Sequence, residues 1–392
     1  MRTRAFRIWL AVLLGCSTAC SNVPTASPQG QLVPSSAGKL AVHFLDVGQG
    51  DAVLIISPTG KTVLVDGGPP GATQKLLAQL RPWLHGPLDL MVLTHPHLDH
   101  LGGLRAVLRS FGARRYLDSK FEHPSRAYAD LLEEVAARGL PYATADVDGS
   151  KPEELVVIGL GGGASLSLLW PRRPVEPFLQ GTRSDPNANS VVAKLAYGKT
   201  AFLLAGDAEP DTEAALLKRD LELHSTVLKV GHHGGHYSST AAWLRAIHPK
   251  AAVISVGAGN DFGHPSPDTL RRLADEGAKV YRTDQDGAVT AVSDGMEVTL
   301  FTEREPGAAQ QFAGDVREGS VAMGQREPRP AEPAQAQTAD ASTERFAASR
   351  KSDVFHRASC PSVSRMSPRN VVHYLTREAA ARGRSPAKDC HP

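Results

Sequence analysis

Between Cys20 and Cys360 the chain has no cysteine; Cys16, Cys20, Cys360 and Cys390 are its whole supply in 392 residues. The long middle therefore holds neither a disulfide framework nor a thiolate-bound metal, and any metal there falls to His, Asp or Glu. Charge of one sign is scarce too. A formal net charge of +2 gives no global field, so non-specific binding to polyanions is not argued from charge. Long apolar runs are also missing, and the stretch IWLAVLLG at residues 8–15 is too short to cross a bilayer.

What precedes that stretch gives it a meaning. Arg2, Arg4 and Arg7 lie ahead of the apolar run, the order of a secretory signal over residues 1–20. Leu13-Leu14-Gly15-Cys16 resembles a bacterial lipobox, which makes Cys16 the expected lipidation site and the membrane a partner through that anchor. Cys20, after Ser17-Thr18-Ala19, is a second candidate, and a plainly cleaved signal peptide is the alternative. Each version predicts an exported chain, lipid-anchored to the bacterial envelope or secreted.

Residues 21–38 (SNVPTASPQGQLVPSSAG) are rich in Pro, Ser and Gly without periodicity, a flexible tether. From residue 39 the strand-like runs LAVHFLDVG, DAVLIISP, KTVLVDGG and DLMVLT are joined by ATQKLLAQLRPWL, LGGLRAVLRSF and ADLLEEVAARGL, whose apolar residues recur at helical spacing. The alternation continues through TAFLLAGD, TVLKVGHHGG, AAVISVG and AVTAVS. It predicts an α/β layered body over residues 39–303. Residues 304–345 turn to Glu, Gln, Ala and Pro and are expected to be a disordered linker. A small C-terminal module is expected over residues 346–392.

Histidine is sparse, 15 in the chain, yet residues 94–100 read THPHLDH. The run follows the DLMVLT strand directly, where a loop can aim several side chains at one spot. Neutral imidazole and carboxylate suit Zn²⁺ or Mn²⁺. His95 and His97 address one position, while Asp99 and His100 address a second beside it. One ion needs part of this set; two ions use all of it. A lone histidine after a strand is an ordinary helix cap, but four ligand-type residues between 95 and 100 are a metal signal.

This run resembles the signature of the metallo-β-lactamase fold, a four-layer αββα sandwich. Asp66 in LVDGG matches the early aspartate that orients the ligand loop, Asp207 in LLAGD the bridging carboxylate, and His232 and His233 in KVGHHGG the last ligand motif. Together with FLDVGQGDA, NANSVV and FGHPSPDTL, these segments are similar to the extracellular hydrolase domain of the competence protein ComEC and its relatives. The long multi-helix membrane domain of that protein is not in this sequence, so a hydrolase without a transmembrane channel domain is expected. One departure matters. The third histidine of the first metal site would fall between His100 and Asp207, where only His123 occurs and Asn187-Ala188-Asn189-Ser190 stands instead. His232 and His233 are therefore expected to serve one metal each; alternatively one ligates and the other stands behind it.

The resemblance implies two divalent ions, Zn or Mn, that activate water, with Asp99 as the catalytic carboxylate holding it. It implies nuclease or phosphodiesterase activity on DNA or another phosphodiester. The fold hosts many chemistries, so a phosphorylcholine esterase, lactonase or β-lactamase, and an inactive binding module, stand as alternatives. Asn189, Lys229 and His264 are candidate substrate contacts, His264 being equally a turn residue before Pro265. Asp46, Gln49 and Asp51 are read as shaping the first hairpin, and His43, His85 and His248 as ordinary surface or core residues. The sequence sets no oligomeric state.

The tail, SDVFHRASCPSV followed by NVVHYLTREAAARGRSPAKDCHP, resembles an Ada-like metal-binding module. His356, Cys360 and Cys390 match its ligands, while Ala387 replaces the first cysteine of its closing pair and His391 is a substitute. A third zinc ion is one reading; a degraded, metal-free module or a Cys360–Cys390 disulfide is the other.

Overall fold

A computed structural model describes residues 38–151 and 154–316, and in the tail residues 346–349, 354–357, 360–364, 371–374 and 385–387. The first half of the body supplies β1 (Leu40–Phe44), β2 (Val53–Ile56), β3 (Thr62–Val65), β4 (Leu90–Leu93), β5 (Tyr116–Asp118) and β6 (Tyr142–Thr144). The second half supplies β7 (Val156–Gly161), β8 (Ala164–Trp170), β9 (Val192–Tyr197), β10 (Thr200–Leu204), β11 (Val227–Lys229), β12 (Ala251–Ile254) and β13 (Lys279–Arg282). The chain then returns to the first sheet as β14 (Val289–Ser293), β15 (Glu297–Thr302) and β16 (Gln310–Ala313). One sheet runs β16-β15-β14-β1-β2-β3-β4-β5-β6 and the other β13-β12-β11-β10-β9-β8-β7. Both are mixed. β3 to β6 are parallel, as are β10 to β13.

Period-two alternation decides which side chains meet. Val53 and Ile55 of β2 join Phe202 and Leu204 of β10 and Leu166 and Leu168 of β8 in one core between the sheets. Leu54, on the opposite face, packs with Leu64 and Met91 under Leu76, Leu80, Leu104, Val107, Leu131 and Val135. These come from α1 (Thr73–Leu80), α3 (Leu104–Ser110) and α4 (Arg126–Ala137), with α2 (Leu98–Leu101) between the first two. A third core sets Leu203, Leu228 and Ala252 against Leu216, Trp243, Ile247 and Leu273. After the short α5 (Asp185–Ala188) these residues lie on or beside α6 (Pro210–Leu217), α7 (Ala241–Ile247) and α8 (Pro267–Asp275). Each fully buried Leu, Ile or Val contributes roughly 1.5–3 kcal/mol by leaving water. Three cores between four layers make the αββα sandwich.

One boundary differs from expectation. Residues 310–316, inside the stretch expected to be a linker, are ordered: Gln310–Ala313 pairs antiparallel with β15 and Val316 N–H donates to Lys199 O at 3.0 Å. Polar composition hid an edge strand whose order comes from backbone pairing. In the tail a four-stranded sheet contains Phe346–Ser349, Val354–Arg357, Val371–Tyr374 and Ser385–Pro386. Among the described residues no helix is long and apolar enough to cross a membrane. Cys16, with the leader and tether, lies outside the described residues, as do Cys390 and His391.

Candidate metal centre

Parallel strands of an α/β sheet leave a crevice beyond their carboxyl ends, and here both sheets empty their loops into one place. β3 ends in Asp66, β4 in Thr94 and the His95–His100 run, β10 in Asp207, and β11 in His232 and His233. The backbone is unusual at these positions. Asp66, His232 and His233 lie in the left-handed region at φ 62°, 49° and 54°, which costs a residue with a Cβ about 1–2 kcal/mol. Such a conformation persists where surrounding contacts over-determine it, often at functional sites. Gly50 meets a similar demand: at φ +149° a Cβ there would lie 2.3 Å from the Asp99 carbonyl oxygen.

Asp207 is buried at the centre. Its Oδ1 lies 3.3 Å from His100 Nε2 and 3.8 Å from His233 Nε2. Its Oδ2 lies 3.7 Å from His95 Nε2 and 4.0 Å from His232 Nε2. His97 Nδ1 is 3.1 Å from His95 Nε2, and Asp99 Oδ2 is 3.3 Å from His233 Nε2. All seven expected ligand residues thus converge. Donor atoms of Asp99, His100, Asp207 and His233 lie within 4.8 Å of one another. Tetrahedral donors on zinc, each ~2.0–2.1 Å from the ion, stand about 3.3 Å apart.

Behind the imidazoles lie groups that aim them. Asp66 accepts from Thr94 N–H at 2.8 Å and Thr94 Oγ1 at 2.7 Å, and meets His100 Nδ1 at 2.8 Å. Since the Thr94 hydroxyl donates to Asp66, it accepts from His95 Nδ1 at 3.1 Å, leaving Nε2 with its lone pair toward Asp207. His233 Nδ1 faces Ser255 O at 3.0 Å and Asp51 Oδ1 at 3.3 Å. His232 Nδ1 faces Glu209 Oε1 at 3.0 Å. Sequence reasoning missed both carboxylates. Asp51 does sit in the first hairpin, but its side chain reaches His233, and only a Gly-Asp pair beside two other small-residue turns signalled it.

The donor set fits a divalent cation. His100 Nε2 and Asp207 Oδ1 are buried and face each other without hydrogen-bond geometry, an arrangement a shared ion satisfies. Burial opposes charge on His100, yet Asp207 and Asp66 outweigh it and hold the imidazole well above its ordinary pKa. Burial likewise opposes charge on Asp207, but His100, His233 and His232 hold its carboxyl well below the usual range. The carboxylates call for positive charge at the centre, from protons or from a metal. His95 and His97 are pushed down, chiefly by burial, into the neutral form that ligates.

Residues 45–258 match the Metallo-beta-lactamase superfamily. The chain belongs to that superfamily. Its members are mostly metal-dependent hydrolases, and among its relatives are competence proteins. ComE operon protein 3 of Bacillus subtilis (strain 168) is 26% identical over 66% of this chain and 34% of its own. Competence protein ComA of Neisseria gonorrhoeae is 28% identical over 74% of this chain and 36% of its own. Recombination protein 2 of Haemophilus influenzae is 29% identical over 67% and 29%. The chain spans about a third of these relatives' length. Among solved structures, a diphosphatase from the PhnP family superposes with a TM-score of 0.36 at 17% identity, over 62% of this chain and 94% of that one.

Within this superfamily chain, two expected substrate contacts need correction. Lys229 Nζ is buried, 2.8 Å from Asp51 Oδ2 and 2.9 Å from Val230 O, so its charge is spent inside the fold. The Asn189 amide bonds Leu179 N–H, Leu179 O and Asp185 O. Asn187, two residues earlier, turns to the centre instead, its Nδ2 3.4 Å from His232 Nε2. His264 does stand at the edge, 5.4 Å ring to ring from His232. In the tail, His356 Nδ1 and Cys360 Sγ meet at 3.7 Å.

Proposed function

We propose that this chain is an exported dinuclear metal-dependent phosphodiesterase acting on DNA or another phosphodiester. One observation carries the reading: the two oxygens of Asp207 face two separate imidazole groups, His100 and His233 on one side, His95 and His232 on the other. Asp207 would thereby be shared between two ions, with His95, His97 and His232 the residues that would hold one and Asp99, His100 and His233 those that would hold the other. Paired divalent ions held there would supply a water acidified to near neutrality and positive charge against the developing charge of an in-line displacement.

The chain's own residues do the remainder. Asp99, whose side chain is 34% exposed, is the centre's carboxylate nearest solvent. Burial would raise its pKa, but the hydrogen bond from His233 and the charge of His100 hold it well below the carboxylate range. At neutral pH Asp99 is therefore an ionised acceptor that would hold and orient the attacking water. Asp66, Asp51 and Glu209 fix the ring planes. His264, pushed down to about 4 by burial and by the neighbouring His232 and His233, is a neutral donor or acceptor at the rim for a non-bridging oxygen. Recombination is a reaction of DNA, and the relative named for it, with the competence proteins, turns the general hydrolase toward a nucleic-acid phosphodiester. Export follows from the basic and apolar leader, with Cys16 as the anchor.

Incubating plasmid DNA with the purified chain and Mn²⁺ or Zn²⁺ tests the reading. Cutting that EDTA stops and Asp207→Asn abolishes is expected. Turnover of a lactam or carboxylic ester with DNA left intact would replace phosphodiester by acyl chemistry.

A further inference from the structure

Five large apolar side chains are exposed among the described residues, and Phe262, at 69%, is the most exposed of them. Single exposed hydrophobics are commonplace, but these are not scattered. Leu98 lies between His97 and Asp99, Tyr237 follows the His232–His233 turn, and Phe262 precedes His264. Three of the five therefore lie in segments that carry or border the metal centre.

Phe262 is also held out deliberately. Asn260 closes its loop with four hydrogen bonds: Nδ2 donates to Gly257 O at 2.9 Å and His264 O at 2.6 Å. Its Oδ1 accepts from Phe262 N–H and His264 N–H, each at 3.1 Å. Gly257 N–H is itself tied to Gln49 Oε1 at 3.1 Å. A loop so braced loses little entropy when something binds to its tip. From that tip, rings lead inward: Phe262 to His264 at 5.8 Å, and His264 to His232 at 5.4 Å. On the segment carrying Asn187, the Arg183 guanidinium lies 3.5 Å over the Tyr237 ring, a cation and an aromatic face presented together.

We propose that Phe262 is a stacking platform for an unpaired nucleobase of the strand whose phosphodiester enters the His/Asp centre, with the Arg183–Tyr237 pair as a second contact for that strand. The inference rests on the phosphodiesterase reading above and names its substrate class as single-stranded nucleic acid. Exposed aromatic faces serve every base alike, while a guanidinium beside them meets the backbone. Phe262 makes no contribution to the buried core, so its replacement leaves the fold intact.

Anisotropy of a fluorescein-labelled oligothymidylate, of the same strand without bases, and of a duplex tests this with the full chain in EDTA. Phe262→Ala is expected to weaken the base-bearing strand about tenfold, one stacked base, to leave the abasic strand unchanged, and Phe262→Trp to restore binding. Unaltered affinity, an equal loss on the abasic strand, or an equal loss on the duplex overturns the platform. The two readings separate cleanly. A wild type that binds through Phe262 yet never cuts with Mn²⁺ or Zn²⁺ refutes the phosphodiesterase and keeps the platform. Cutting with KM untouched by Phe262→Ala keeps the phosphodiesterase and refutes the platform.

Discussion

Removing the Asp51 carboxylate separates two jobs that one side chain performs. Asp51 is buried between Lys229 Nζ at 2.8 Å and His233 Nδ1 at 3.3 Å. Burial alone would raise its pKa, but Lys229 and then His233 hold it below the ordinary value. In Asp51→Ala the Lys229 ammonium, 2% exposed, keeps only the Val230 carbonyl. Leaving one member of a buried pair behind costs roughly 3–5 kcal/mol, whereas replacing both with apolar groups is often near neutral. Urea unfolding of the metal-free chain is therefore expected to place Asp51→Ala about 3–5 kcal/mol below wild type. Asp51→Ala/Lys229→Met should recover at least about 2 kcal/mol of that loss. Metal affinity should not recover, because His233 loses its orienting carboxylate in both variants, a change worth about 10–100-fold. A double variant within about 0.5 kcal/mol of the summed single effects, or one with wild-type metal affinity, refutes the reasoning.

Three further outcomes are expected. Asp118 accepts from the hydroxyls of Tyr116, Tyr128 and Tyr142 at 2.9, 2.8 and 2.5 Å; Asp118→Ala strands three buried donors, at roughly 1–3 kcal/mol each, and should lower the unfolding free energy obtained from urea titration by at least about 3 kcal/mol. Glu213 is pushed up to about 6, chiefly by burial, so the folded chain binds its proton more tightly than the unfolded one. Its contribution is full below the unfolded pKa of 4.5 and is lost as pH rises through about 6; the stability gap between wild type and Glu213→Gln should shift against wild type by roughly 2 kcal/mol across that window. Gly50→Ala forces a Cβ onto the Asp99 carbonyl and should cost on the order of 1–3 kcal/mol, together with metal binding, read by isothermal titration.

Much of this site was legible because its signal is local. His95, His97, Asp99 and His100 stand within one turn after one strand, so their convergence follows from spacing alone. The layered body was legible too, since Leu76, Leu77 and Leu80, or Leu131 and Val135, repeat at helical spacing. What escaped depends on contacts between distant segments. Asp51 meets His233, and Glu209 meets His232, through the closing of two sheets that spacing does not describe. β5 and β6 have three residues each, too few to show a period, and are placed by register against Leu93 and Asp118. In NANS, only the turn of α5 decides that Asn187 rather than Asn189 faces the imidazoles. Lys229 is placed on β11 as expected, but its charge is neutralised by a residue that the hairpin brings from the other sheet.

The metal content of the purified chain tests the central claim most directly. With His356→Ala and Cys360→Ser removing two of the tail's candidate donors, plasma mass spectrometry should count two divalent ions per chain, and Asp207→Asn should lose both. A preparation that cuts at full rate while holding fewer than one ion per chain contradicts the account.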